Sequence, residues 1–96
     1  MSIVRAAIVQ DYPVVFDLEA TLAKVRDLVR EAAHLGAGLV VFPEAFVSGY
    51  PKGLDFGARI GMRLPGGRED FRRYFQSAID VPGPATAAMG DAARES

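Results

Sequence analysis

Residues 36–51 read GAGLVVFPEAFVSGYP. Behind the two glycines, Leu39-Val40-Val41-Phe42 is a short run that is apolar at every position, the pattern of a strand covered on both faces of a sheet. Upstream, from Asp17 to Leu35, the apolar residues Leu18, Leu22, Val25, Val29 and Ala32 recur at spacings of three and four. Lys24, Arg26, Asp27, Arg30 and Glu31 lie between them, so the stretch is expected to be an amphipathic helix of about five turns. Its ends are marked: Asp17 can cap the first amides, Glu19 complements the positive end of the dipole, and Gly36 follows the last turn. Before it, residues 3–9 (IVRAAIV) are β-branched and small and predict a first strand that stops at residues 10–13 (QDYP). Strand, helix and strand make a β-α-β unit, for which parallel pairing and a right-handed crossover are expected. The fold class is therefore α/β.

Downstream the character changes. Thirteen of the sixteen glycines and prolines lie between Pro43 and Gly90, so the second half is expected to be loop-rich. Within it, Arg68 to Ala78 places Phe71, Tyr74, Phe75 and Ala78 on one face of a short helix, which residues 80–84 (DVPGP) end. Residues 85–94 are alanine-rich and favour helix apart from Gly90. Two strands do not make a stable sheet layer, and a parallel pair needs cover on both faces, so more strands must come from elsewhere. Exposed apolar edges are expected to make the lone chain self-associate.

Composition narrows the function classes. Ninety-six residues, half of them apolar, suit one small globular domain. Eleven basic and twelve acidic side chains give no field that would draw in a nucleic acid. The longest apolar run falls far short of the roughly 20 residues of a membrane-spanning helix, and the N-terminus has no signal-peptide pattern. No membrane partner and a cytoplasmic location are expected. Cysteine is absent, which excludes disulfides, thiolate metal sites and a thiol nucleophile within these residues.

Glu44 lies just past the end of a buried strand, where catalytic groups collect in open α/β sheets. A Pro-Glu pair in that position is by itself an ordinary solvated carboxylate. The surrounding stretch overturns that reading, because residues 36–51 resemble the first signature of the nitrilase superfamily of carbon–nitrogen hydrolases. Gly36, Leu39, Val40, Phe42, Glu44, Val47, Gly49, Tyr50 and Pro51 stand on its specified positions. The resemblance continues through Gln10, Phe56, Gly57, Gly61, Phe71, Tyr74 and the DVPGP of residues 80–84, which look like the nitrilase branch.

The resemblance implies a four-layer α-β-β-α sandwich of which residues 1–96 are the N-terminal portion of one domain, with its β-α-β unit but without the remaining layers. It implies hydrolysis of a nitrile to a carboxylic acid and ammonia through a cysteine thioimidate, with Glu44 as proton acceptor and no cofactor or metal. Phe42 and Phe46 are expected to surround Glu44 with an apolar shell, and Tyr50 is a candidate substrate contact, though a Gly-Tyr-Pro turn also places tyrosines for packing. The substrate would be a small nitrile or amide, and the full-length enzyme a homo-oligomer. The family's cysteine and lysine have no counterpart here, so the chain alone is expected to be inactive, since catalytic groups that act as a unit fail together. Lys24 falls on the polar face of the helix as a solvated lysine, Lys52 reads as a surface or rim residue, and Ser48 has no histidine beside it. His34, in the last helical turn, is explained by the dipole.

Other readings stand beside this one. An aliphatic amidase or a cyanide-converting member of the same superfamily would carry the same glutamate. A nucleotide-binding β-α-β module would need a glycine-rich turn after strand one, where residues 10–13 offer none. A non-catalytic interaction module could use Arg59 to Arg73, where five of the eleven basic residues gather, although Glu69 and Asp70 dilute that charge; a truncated gene product, or one half of a split enzyme completed by a separate polypeptide, is a further reading.

Overall fold

The computed structural model describes residues 2–49, 58–59, 62–63 and 65–96. In chain order they form β1 (Ala6–Ile8), α1 (Leu18–His34), β2 (Leu39–Val41), β3 (Ala58–Arg59), β4 (Met62–Arg63), α2 (Gly66–Gln76) and α3 (Pro84–Glu95). The expected β-α-β unit is present, with β1 and β2 parallel and Ala6, Ala7 and Ile8 opposite Leu39, Val40 and Val41. The first strand is shorter than residues 3–9 because its partner offers only three residues. Two further bonds extend the ladder, from the amide of Gly38 to Arg5 O (2.8 Å) and from that of Val9 to Val41 O (2.8 Å). β3 and β4 form a separate antiparallel pair.

The ends of α1 follow the sequence signals. Asp17 is the N-cap and its carboxylate accepts from the Ala20 amide at 3.0 Å. At the other end Gly36 adopts φ +87°, its amide donates to Ala33 O (2.9 Å), and that of Ala37 donates to Ala32 O (3.0 Å). This double closure needs a left-handed residue, which is why glycine stands there. The Arg5 guanidinium donates to Leu35 O at 3.4 Å, tying the last turn back to β1.

α1 buries Thr21, Val25 and Ala32 along one stripe and packs against α3, which buries Ala85 and Ala92. An exposed ion pair, Arg30 to Glu95 at 3.8 Å, joins their outer surfaces and is worth at most about 1 kcal/mol. α3 begins at Pro84, behind Gly83, whose amide donates to Thr86 Oγ1 at 2.9 Å. A side chain at Gly83 would meet Asp80 O at 2.8 Å, so space rather than backbone angle demands glycine there.

α2 starts two residues earlier than the periodicity suggests, because Pro65 already has helical angles and leads Gly66 and Gly67 into the first turn. Its aromatic residues do not share one buried face. Tyr74 lies edge-on to Phe16 at 6.5 Å between ring centroids, and the Arg73 guanidinium sits 4.7 Å from the centre of the same ring. Phe71 and Phe75 stack on each other and are exposed.

The two-stranded sheet corrects one expectation. Leu39-Val40-Val41-Phe42 is not covered on both faces: Val40 faces the helices, while Leu39 is 52% and Val41 45% exposed. Ile8, opposite Val41, is 75% exposed. One helical layer covers one face, and within this chain nothing among the described residues covers the other. The radius of gyration, 16.4 Å, exceeds the roughly 13 Å of a compact domain of this size, as expected when the layers do not close. The apolar surface that the self-association expectation requires is therefore present. No described helix is long and apolar enough to cross a membrane.

Candidate active site

Glu44 stands in a turn that begins two residues after β2. Three bonds shape this turn: the Phe46 amide to Pro43 O (3.2 Å), the Gly49 amide to Ala45 O (2.9 Å) and Ser48 Oγ to Ala45 O (3.3 Å). Ala45, directly after the glutamate, has φ +55°, a left-handed conformation that costs a residue with a Cβ about 1 kcal/mol or more. Phe46 is 4% exposed, its ring 5.1 Å from that of the half-buried Phe42, and this pair anchors the turn from below.

Gly49 closes the turn at φ +75° and is buried. A Cβ there would lie 3.7 Å from both Pro13 Cγ and Val15 Cα, so the end of the glutamate turn rests on the segment between β1 and α1. That segment is itself fastened to α1. The fully buried Thr21 hydroxyl accepts from the Val14 amide (3.1 Å) and donates to Val14 O (2.9 Å). Lys24 Nζ donates to Asp11 Oδ1 (2.9 Å) and to Tyr12 O (2.6 Å), and lies 4.2 Å from the centre of the Tyr12 ring. The Lys24 hydrogen bond, with the Tyr12 amide bond, holds the Asp11 carboxyl below its ordinary value.

Lys24 is thus not the free solvated lysine that its polar-face position suggests; its long stem carries the ammonium back over the turn that precedes its helix. Thr21 was not among the residues the periodicity singled out. Its position four residues before Val25, on the inner stripe, was the available signal.

The expectation for the immediate surroundings of Glu44 is also corrected. Phe42 and Phe46 turn inward toward each other, and Glu44 is exposed, with no hydrogen bond or ion pair among the described residues. Neighbours in sequence do not share a face of a tight turn, so the aromatic pair supports the backbone without enclosing the carboxylate. Tyr50 and Lys52 lie outside the described residues. Ser48 spends its hydroxyl on Ala45 O, and His34 is exposed at the end of α1.

A cleft of about 870 Å³ opens between α1, α3, β2 and the glutamate turn. Val25, Val29, Val40, Phe42, Phe46 and Met89 are among the residues that line it, and no titratable side chain does. It is space between packing layers.

Comparison with known proteins gives this arrangement a context. Residues 5–96 match the family model described as carbon-nitrogen hydrolase. An aliphatic nitrilase of Sinorhizobium fredii is 53% identical over 91 residues, which are 95% of this chain and 30% of that protein. A bifunctional nitrilase/nitrile hydratase of Nicotiana tabacum is 57% identical over 81 residues, 84% of this chain and 23% of that protein. Nitrilase 1 of Arabidopsis thaliana is 48% identical over 92 residues, 96% of this chain and 27% of that protein. The chain therefore spans less than a third of the length of these curated relatives.

Proposed function

The chain belongs to the carbon–nitrogen hydrolase family, and we propose that it is the N-terminal portion of a nitrilase domain in which Glu44 is the general base. The observation that carries this reading is the placement of Glu44 beside the left-handed Ala45, in a turn anchored by the buried Phe46 and closed by Gly49. A backbone held in a sparsely populated conformation persists where the structure over-determines it, and such sites cluster where a side chain must be aimed.

The chemistry follows from the demands of a nitrile. Its carbon is a weak electrophile and needs a strong nucleophile, so a thiol is deprotonated as it attacks; the proton passes through the carboxylate to the nitrogen, leaving a thioimidate. Water then adds to the thioimidate carbon with its proton accepted by the same base, and ammonia leaves. A second water releases the acid from the thioester, regenerating the thiol. The thiol and the cation that steadies the tetrahedral species would come from the part of the domain beyond these residues. An exposed Glu44 fits this division, because its pocket is built by layers that this chain does not contain. The bare apolar sheet face of Ile8, Leu39 and Val41 supports the same layering, a second sheet packed on the first.

The test is a graft in which residues 1–96 replace the matching segment of the Sinorhizobium fredii aliphatic nitrilase. Ammonia and carboxylic acid are expected from an aliphatic nitrile at a rate within about tenfold of the parent, a loss of about 1.4 kcal/mol at most. A folded graft that releases neither, beside an active parent, would overturn the proposal.

A further inference from the structure

We infer that Thr21 and Lys24 are positioning residues for Glu44, acting through the segment between β1 and α1; this rests on the reading of Glu44 as the base. The connection is continuous. Thr21 holds both backbone groups of Val14, at 3.1 and 2.9 Å, from a fully buried position. Lys24 holds the beginning of the same segment through Asp11 and Tyr12 O. Between these two fastenings and the turn at Phe16, Pro13 and Val15 form the surface against which Gly49 is buried. The Gly49 amide bonds to Ala45 O, and Ala45 is the strained residue next to Glu44.

The chemistry of the two side chains suits this task. A threonine hydroxyl that both accepts and donates fixes a single peptide segment in place, and a valine of the same shape would fill the space without holding it. The lysine reaches the segment from the opposite end and adds the Tyr12 ring to its contacts. Neither side chain reaches Glu44, so their effect on catalysis is geometric. Displacement of a reacting group by about 1 Å costs up to about 100-fold in rate.

Two measurements test this. In the 96-residue chain, Thr21→Val is expected to speed amide exchange at Phe46 and Gly49 by about tenfold or more while the α3 amides keep their protection. In the grafted enzyme, Thr21→Val is expected to lower kcat about 10- to 100-fold per titratable active-site thiol, with KM little changed, and Thr21→Ser to restore most of it. If Thr21→Val does not fold, Lys24→Met, which releases the other end of the segment, should lower kcat in the same manner. Unchanged exchange at Phe46 and Gly49, or an unchanged kcat in the folded variants, overturns the inference. That failure is distinct from failure of the base assignment, which would appear as an active Glu44→Gln graft.

Discussion

Glu44→Gln in the grafted enzyme is expected to lower kcat by about 10²- to 10⁴-fold, the range contributed by a positioned general base. Glutamine keeps the shape and the hydrogen-bonding reach of the side chain and removes only its capacity to take a proton. In the 96-residue chain Glu44 is exposed and has no partner among the described residues, so there the substitution should leave the fold intact, within about 0.5 kcal/mol. Thermal melts of that chain with and without the substitution should therefore coincide, while ammonia release by the two grafts differs by orders of magnitude. A fall in activity accompanied by an equal fall in folded protein would instead assign Glu44 a structural role.

Phe46→Ala should act the other way, through stability first. Of the side chains buried among the described residues, those of Val25, Ala32, Ala85, Ala92, Thr21, Ser77 and Phe46, the phenylalanine is by far the largest. Removing a buried phenylalanine side chain costs about 3–5 kcal/mol, against a total of about 5–15 kcal/mol for an ordinary domain. A chain with so small a core stands near the low end of that range, so the variant should be largely unfolded by urea concentrations that leave the parent folded. The loss also removes the inward support of the strained Ala45. Circular dichroism during denaturant titration reads the effect directly.

Much of this architecture was legible because single residues carry strong local signals. Asp17 can cap only a helix on its C-terminal side, Gly36 can adopt the left-handed angle that closes a helix, and the 3–4 spacing of apolar residues between them fixes the inner face of α1. The parallel pairing of β1 with β2 follows from the intervening helix. The location of Glu44 beyond β2 was legible for the same reason.

The features that could not be read depend on contacts between segments far apart in sequence. Leu39 and Val41 look like residues of a doubly covered strand, yet no described element packs over them, and an apolar run does not itself say whether one does. Lys24 has the spacing of a solvent-facing residue, but the turn of the chain before α1 brings Asp11 and Tyr12 beneath it. Thr21 reads as one more helical position until Val14 folds back onto its hydroxyl. The start of α2 was displaced because the low helix propensity of Gly66 and Gly67 hides the pre-set geometry of Pro65.

Ammonia release from an aliphatic nitrile by the purified 96-residue chain, assayed beside the graft, is the measurement on which the proposed division of labour turns. With no cysteine in the chain, none is expected above the uncatalysed rate, while the graft turns over. Turnover by the chain alone that survives Glu44→Ala would contradict both the assignment of Glu44 and the mechanism built on it.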